Sequence, residues 1–183
     1  RLDTARGVVT VTFSLRRPAD VIVDFRGPAL ASVTVNGASL PAFEWNGKHL
    51  RIPGHFLKPG INTVGAHFST LIAPAGAPII RFHDETDRRD YLYTLLVPSD
   101  AHALFPCFDQ PDLKARLTLA LTVPSEWTAI ANGKTLARQA GATSTTFRFA
   151  ESEPLPTYLF AFAAGPYQRF VGGPRMTPLL VRA

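Results

Sequence analysis

The stretch DAHALFPCFDQPDLKA, residues 100–115, restricts the fold more than any other part of the sequence. Pro106 and Pro111 fix their own φ angles and push Phe105 and Gln110 toward extended conformations. The sequence therefore predicts a stiff, folded-back connection without a helix between residues 100 and 115.

The same stretch combines apolar and acidic side chains. Its two phenylalanines and Cys107 are apolar enough to be buried, and burial of the thiol favours an inert cysteine. Asp109 and Asp112 flank Pro111, where short carboxylates accept hydrogen bonds from backbone N–H groups just downstream, as in Asx-turns. We therefore expect Asp109 and Pro111 to serve stability and not catalysis.

Outside this stretch, apolar residues alternate with polar residues, which is the pattern of half-buried strands. Alternation is clearest over residues 9–15 and 117–123. Further strands are predicted at residues 21–25, 32–35, 43–45, 48–52, 61–72, 79–82, 91–97, 145–149, 157–165 and 177–181. The run 157–165 is apolar on both faces, as in a central, covered strand.

Turn chemistry supports the same division into strands. Asn-Gly pairs at 36–37, 46–47 and 132–133 predict three type I′ hairpins, and Pro59-Gly60 predicts a type II turn. The charged run HDETDRRD, residues 83–90, is expected at a solvated hairpin tip. Sixteen prolines and 13 glycines are spread along 183 residues and leave little room for long helices. One all-β domain of antiparallel sheet, residues 1–183, is the predicted fold.

The segment FPCFDQPDLKA, residues 105–115, resembles the FPCFDEPxxKA-type signature in the N-terminal domain of M1-family zinc aminopeptidases. The resemblance extends to YLYTLLVPSDAHALFPCFDQPD, LTLALTVPSEWTAIANGK and LPTYLFAFAAGPY, and so covers most of the chain. It implies a saddle-like sheet or β-sandwich that packs on the catalytic domain of the same polypeptide and walls the cavity for a peptide substrate. The zinc cofactor and its HExxH helix are expected in that catalytic domain, after residue 183. The chain is then an excised N-terminal piece that is inactive alone.

The resemblance also implies a substrate-binding loop before the PCFD segment. M1 aminopeptidases commonly place there a Gln or Glu that helps to hold the free α-amine of the substrate. The matching position in this chain is Val97, and a second polar position of the family falls on Leu95. Ser99 and Asp100 are the nearest polar residues. We therefore expect Leu95, Val97 and Ser99 to face the substrate, with amine recognition left to the catalytic domain.

No catalytic or metal-binding residue is expected within the chain itself. His83 lies among four acidic residues, but a solvated loop is the commoner explanation of such a run. The five histidines form no HxxxH or HxH pair. Cys107 with the nearby His102 offers an alternative nucleophile, which the apolar flanks make less favourable. The sequence contains no GxSxG, Walker or GxGxxG motif.

Charge and cysteine content exclude few function classes. The net charge of +5 comes from scattered basic residues without a nucleic-acid-binding module, so no nucleic-acid partner is expected. No apolar run is long enough to cross a membrane, and a single cysteine does not decide between a cytoplasmic and an exported protein. A catalytically silent M1-like protein and a free-standing β-sandwich that binds other proteins are the alternatives.

Overall fold

The computed structural model describes residues 3–170 and 179–181, and most of their regular structure is β-strand. The strands of these residues are β1 (Thr4–Leu15), β2 (Val21–Asp24), β3 (Ala29–Val35), β4 (Ala38–Ser39), β5 (Glu44–Trp45), β6 (His49–Ile52), β7 (Gly60–Ala73), β8 (Ile79–Asp84), β9 (Arg89–Thr94), β10 (Ala120–Pro124), β11 (Thr128–Ala131), β12 (Thr135–Ala140), β13 (Ser144–Phe149), β14 (Phe162–Gly165), β15 (Gln168–Phe170) and β16 (Leu179–Val181). One α-helical turn, α1 (Ala101–Leu104), and 3-10 turns at Gly54–Phe56 and Thr157–Leu159 complete the described elements. The prediction of an all-β fold is confirmed.

An eight-stranded sheet runs through the domain in the order β11-β14-β9-β8-β7-β3-β4, with β1 also paired to β7. Among the strand pairs described, β7 with β8 is parallel and the others are antiparallel. Smaller sheets have the orders β2-β6-β5, β10-β13-β12 and β15-β16. Strand β7 links the large sheet because its 14 residues pair with β1, β3 and β8.

Alternation along β7 places one set of its side chains in the core. Val64, Ala66 and Ile72 are at most 5% exposed, and each lies an even number of residues from the others. One core cluster joins β3 and β7 to the β2-β6-β5 sheet, and a second lies beneath residues 96–107. A third cluster forms between the β10–β13 pair and the β11–β14 pair. Burial of each large apolar side chain stabilises the fold by about 1.5–3 kcal/mol.

Of the three predicted type I′ hairpins, one is confirmed and two are corrected. Asn36 and Gly37 have φ values of 50° and 83° and join β3 to β4, as a type I′ turn requires. Gly60 has a φ of 84°, in agreement with the type II turn after Pro59. At Asn46-Gly47 the chain also reverses, but only Gly47 of the pair has positive φ, so the type I′ prediction was wrong there.

The third predicted hairpin, at Asn132-Gly133, is absent. Strand β11 pairs with β14 and strand β12 pairs with β13, so this turn carries the chain from one sheet to another. The Asn132 side chain donates to the Leu159 carbonyl at 2.9 Å and accepts from the Ala161 N–H at 2.7 Å. These tertiary bonds to the approach of β14 replace the hairpin that the dipeptide favours locally.

Most predicted strands have other bounds in the structure, such as β1, which begins at Thr4 and not at residue 9. Strand β9 ends at Thr94, before Pro98, and not at residue 97. The run 157–165 divides into the 3-10 turn after Pro156 and strand β14, which does lie between two strands. Strand β10 begins at Ala120, although backbone bonds to Leu117 and Leu119 extend its pairing. Of the predicted strand 177–181, residues 177–178 lie outside the described residues.

The charged run of residues 83–90 lies at the connection between β8 and β9. Residues 85–88 form the turn between β8 and β9, so the predicted hairpin tip is confirmed.

Within residues 3–170 and 179–181, no helix has the length and apolar character needed to cross a membrane.

Gly133 provides a test of the crossing between sheets. A Cβ atom at this position would lie 2.0 Å from the Ala150 carbonyl oxygen. We expect Gly133→Ala to lower the free energy of unfolding by about 1–3 kcal/mol, because backbone must move to admit the methyl group. Urea unfolding followed by circular dichroism measures this change.

The matched control for this substitution is Gly141→Ala. Its added Cβ would lie 3.1 Å from the Ser144 oxygen, so a much smaller loss is expected. Equal losses of stability in the two variants would show that the close approach of Gly133 to the Ala150 carbonyl does not restrict the residue at position 133.

Candidate functional site

The segment after β9, residues 95–99, is the loop that the sequence marks as the candidate site, and we call it the 95–99 loop. The Leu95 N–H donates to the Pro78 carbonyl at 3.2 Å, and residues 97–99 form a turn with a cis Val97-Pro98 bond. Leu95 and Val97 are 55% and 59% exposed, whereas Leu96 between them is 2% exposed. Ser99 is exposed as well. The two apolar side chains therefore flank a buried anchor and project away from the core.

The 95–99 loop continues an apolar surface on one face of the eight-stranded sheet. Tyr93 pairs with Ile80 on one side and with Ala163 on the other, and Ala163 pairs with Ile130. Because paired residues share a face, these four side chains form one row across four strands. Leu95 follows Tyr93 at a two-residue step and extends the row toward the loop.

We name the exposed members of this surface the outer apolar face. Its side chains are 40–59% exposed and are those of Leu71, Phe82, Tyr93, Leu95, Val97 and Ile130. Along β1 the same face of the sheet is mostly polar and carries Arg6, Thr10, Thr12 and Ser14, with Val8 as an exception. Val8 and Ile61 are also exposed on this face, at 67% and 66%, so the six side chains are a concentration of apolar residues near the 95–99 loop and not the whole apolar surface of the face.

A buried carboxylate lies behind the loop. The Asp109 side chain is 5% exposed and accepts from the backbone N–H of His102 at 3.1 Å and from the Thr157 hydroxyl at 2.7 Å. His102 Nδ1 lies 2.6 Å from the same carboxylate. Since an ionised carboxylate only accepts, His102 Nδ1 carries the proton. We call Asp109, His102 and Thr157 the Asp109 network.

This network corrects two expectations for residues 100–115. Asp109 accepts from His102, which lies upstream, so the predicted Asx-turn to a downstream N–H was wrong. Residues 101–104 form the helical turn α1, although no helix was predicted. Phe105 is nevertheless extended, with φ −150° and ψ 154°, as Pro106 demands. The helical turn fits upstream of the prolines because Asp109 pairs with one of its free N–H groups.

The network is tied to the β2 end of the domain. Asp24 and Cys107 exchange two backbone hydrogen bonds, of 2.8 and 3.1 Å. The Asp24 carboxylate accepts from the Asp109 N–H at 3.3 Å and lies 3.0 Å from His49 Nδ1. The Arg26 N–H donates to the His102 carbonyl at 2.8 Å. Residues 102–109 are thus hydrogen-bonded to Asp24 and Arg26 on one side and, through Asp109, to Thr157 on the other.

Burial and hydrogen bonding shift the pKa values of two ionisable groups in this part of the structure. Burial opposes ionisation of Asp109, but hydrogen bonds from the His102 side chain, Thr157 and the His102 N–H outweigh it and hold the pKa of Asp109 below its ordinary value. Burial, together with the carboxylates of Asp109 and Asp24, raises the pKa of the Cys107 thiol far above its ordinary value. Cys107 is 4% exposed, which confirms its predicted burial and disfavours the nucleophile alternative.

The charged β8–β9 turn uses its side chains locally. His83 Nδ1 lies 2.8 Å from Asp90, Asp84 accepts from the Thr86 N–H at 2.9 Å, and Asp87 accepts from the Arg89 N–H at 2.9 Å. Across the residues that the structure describes, no three His, Cys, Asp or Glu side chains gather as a metal site needs.

Sequence reasoning missed the partners of Asp109. Thr157 is 48 residues away along the chain and Asp24 is 85 residues away. No local pattern marks either residue. His102, seven residues from Asp109, was noticed only as a neighbour of Cys107.

The model of the peptidase M1 N-terminal domain family matches residues 49–159, more than half of the chain. The chain belongs to this family. The matched residues include the 95–99 loop and the whole Asp109 network of the M1 N-terminal domain, whereas Asp24 precedes them.

Several curated relatives of this M1 N-terminal domain are aminopeptidases. Aminopeptidase N of Streptomyces lividans is 31% identical over 166 residues, which cover 90% of this chain and 19% of the relative. Aminopeptidase N of Acetobacter pasteurianus is 28% identical over 189 residues, which cover 97% of this chain and 52% of the relative. The chain thus spans about a fifth to a half of these relatives.

Solved structures share the fold of this M1 N-terminal domain. An M1 zinc metallopeptidase from Deinococcus radiodurans superposes with a TM-score of 0.74 at 22% identity, over 91% of this chain and 39% of that chain. A structure of a mutant of that enzyme, bound to a Tyr-Ser-Ala substrate, superposes with a TM-score of 0.75 at 21% identity, over 97% of this chain and 42% of that chain. The M1 N-terminal architecture is therefore common to these chains.

The lowered pKa of Asp109 predicts a pH-dependent contribution to stability. A carboxyl group with a depressed pKa in the folded state stabilises the fold above its unfolded pKa, about 4, and this contribution is lost as pH falls through the folded pKa. We expect Asp109→Asn to lower the free energy of unfolding at pH 7 by about 1–3 kcal/mol, because the amide loses the charge and replaces one of the two acceptor oxygens with an NH2 donor. The deficit should narrow below about pH 4. Urea unfolding between pH 7 and pH 3 measures both quantities.

Asp112→Asn is the matched control, since Asp112 is an exposed carboxylate in the same segment. It should change stability by less than about 0.5 kcal/mol at either pH. A deficit for Asp109→Asn that stays constant with pH would contradict the assigned role of its charge.

Proposed function

We propose that this chain is the N-terminal, non-catalytic domain of a zinc metallo-aminopeptidase that removes N-terminal amino acids from peptides. The observation that carries the proposal is the M1 N-terminal family match in a chain that spans only a fifth to a half of relatives named aminopeptidases. The zinc ion and the catalytic residues belong to a domain that follows residue 183. There the zinc activates the water that attacks the peptide bond.

The outer apolar face is the surface by which this domain packs on the catalytic domain. Its six side chains are 40–59% exposed and lie at one end of the sheet, whereas exposed apolar residues on a protein surface are usually scattered singly. Covering such a patch with a second domain contributes about 25 cal/mol for each Å² of apolar surface removed from water. The polar remainder of the same face stays in solvent.

The 95–99 loop lies at the rim of that surface and walls the substrate cavity. Leu95 and Val97 cannot hydrogen-bond an ammonium group, so amine selection rests on acidic residues of the catalytic domain. The apolar pair offers van der Waals contact to the first side chain of the substrate. This loop therefore tunes side-chain preference more than amine dependence.

A second candidate function is supported by the same two residues. Apolar side chains stand where M1 aminopeptidases commonly carry a Gln or Glu, which favours a catalytically silent M1-like protein or a free-standing protein-interaction module. The outer apolar face then binds another protein. An intact HExxH helix in the full-length polypeptide supports the enzyme, and a degraded motif or an early stop codon supports the binding module.

Metal content and activity test the enzyme proposal. The full-length polypeptide is expected to bind one zinc per chain and to cleave aminoacyl substrates, whereas residues 1–183 alone do neither. Metal analysis of the purified proteins and a chromogenic aminoacyl assay measure both properties. One tight zinc in the isolated domain, lost on His83→Ala, would overturn the assignment of the metal to the other domain.

Substitution at Val97 tests the wall. We expect Val97→Asp in the full-length enzyme to reduce kcat/KM for substrates with a large apolar first residue, because it places a carboxylate against that side chain. Val97→Ala is the control and should cost much less. Kinetics on Leu-type and Ala-type aminoacyl substrates measure the difference. Equal effects of Val97→Asp on both substrates would show that Val97 does not face the first side chain.

A further inference from the structure

We propose that Asp109 is a positioning residue for the 95–99 loop, which goes beyond the stabilising role expected from the sequence. The consequence for substrate rests on the proposed function, whereas the structural part does not. The inference begins from the buried carboxylate that accepts from two different segments of the chain.

The loop and α1 behave as one piece of backbone. The Asp100 N–H donates to the Leu96 carbonyl at 2.8 Å, which closes the loop onto the residue before α1. The Ala103 N–H donates to the Asp100 carbonyl at 3.0 Å, and the Phe105 N–H donates to the Ala101 carbonyl at 3.0 Å. Any movement of α1 is therefore transmitted to the 95–99 loop.

Alone, α1 cannot keep its shape. It has four residues, and a single helical turn is unstable in water without tertiary contacts. The described contacts that hold its backbone are Asp109 to the His102 N–H, the Arg26 N–H to the His102 carbonyl, and the Thr70 hydroxyl to the Ala103 carbonyl. The ion pair of Arg26 with Asp100 is about half exposed and contributes little.

Asp109 differs from the other two contacts in its charge and in the number of donors that it accepts from. Its carboxylate is 5% exposed and receives the His102 N–H, the His102 ring and the Thr157 hydroxyl together. Hydrogen bonds to a charged acceptor are roughly twice as strong as neutral ones. Asp109 thereby fixes α1 against the 3-10 turn that leads into β14, a neighbour of β9 in the sheet.

This arrangement sets the direction in which Leu95 and Val97 point. Leu96 is buried beside α1 in the same core cluster, so a displaced α1 also displaces the anchor between the two exposed side chains. The Asp109 network acts through this packing and touches no substrate. Its loss should therefore weaken side-chain contact with the substrate more than it slows the chemical step.

Hydrogen exchange in the full-length polypeptide tests the positioning directly. Asp109→Asn should accelerate exchange of the Asp100, His102 and Ala103 amides at least about tenfold, while the strands stay protected, since tenfold corresponds to about 1.4 kcal/mol of local stability. Val33→Ala, a buried substitution in the first core cluster, is the control for general loss of stability. Asp112→Asn is the control for loss of a nearby charge.

Kinetics supply a second readout. For a Leu-type substrate, Asp109→Asn should raise KM about five- to tenfold with kcat within about twofold, and the rise should be smaller for an Ala-type substrate. Val33→Ala should leave KM within about twofold for both substrates. If Asp109→Asn does not fold, Thr157→Val removes one donor from the network and should give a smaller change in the same direction.

The outcomes separate the two proposals. Equal acceleration of the loop and α1 amides in Asp109→Asn and Val33→Ala, or a lower melting temperature without local acceleration, would overturn the positioning role. If the full-length polypeptide without substitutions has no aminopeptidase activity, the proposed function is wrong. The exchange experiment would still decide the role of Asp109 in that case.

Discussion

The carboxylate of Asp109 is the interaction on which the arrangement around the candidate site depends. It brings together α1, which follows β9, and the 3-10 turn, which precedes β14, although Thr157 in that turn lies 48 residues from Asp109 in sequence. Its own backbone N–H reaches the Asp24 side chain at the end of β2. An uncompensated carboxylate in this setting would be costly, and three donors make its burial favourable. The irregular segment 100–115 therefore has one defined conformation without belonging to a sheet.

The large sheet separates two kinds of surface by the two-residue period of its strands. One set of side chains on β7 packs into the core, and the opposite set faces outward. The outward set is mostly polar along β1, with Val8 as an exception, and apolar toward β8, β9 and β11. The same alternation therefore stabilises the domain and leaves apolar side chains exposed at one end of the sheet.

Much of this fold follows from the sequence, since alternation in β1 and β7 and the Asn36-Gly37 turn depend on local chemistry alone. Residues 132–133 have the same dipeptide, but the Asn132 side chain bonds to the segment before β14 and the hairpin does not form. The helical turn at 101–104 escaped prediction because its acceptor comes from Asp109, on the far side of Pro106. The 95–99 loop was located from a family resemblance, whereas its buried anchor Leu96 and the row shared with Tyr93 required the sheet register.

The single cysteine has a consequence for anyone who works with this domain. Cys107 is 4% exposed and bonded through its backbone to Asp24, two residues from Asp109. Burial and the two nearby carboxylates suppress the reactive thiolate. A thiol reagent therefore modifies the chain only when residues 100–115 open toward solvent. The native sequence carries its own chemical reporter at the segment that organises the fold, and no engineered label is needed to follow its opening.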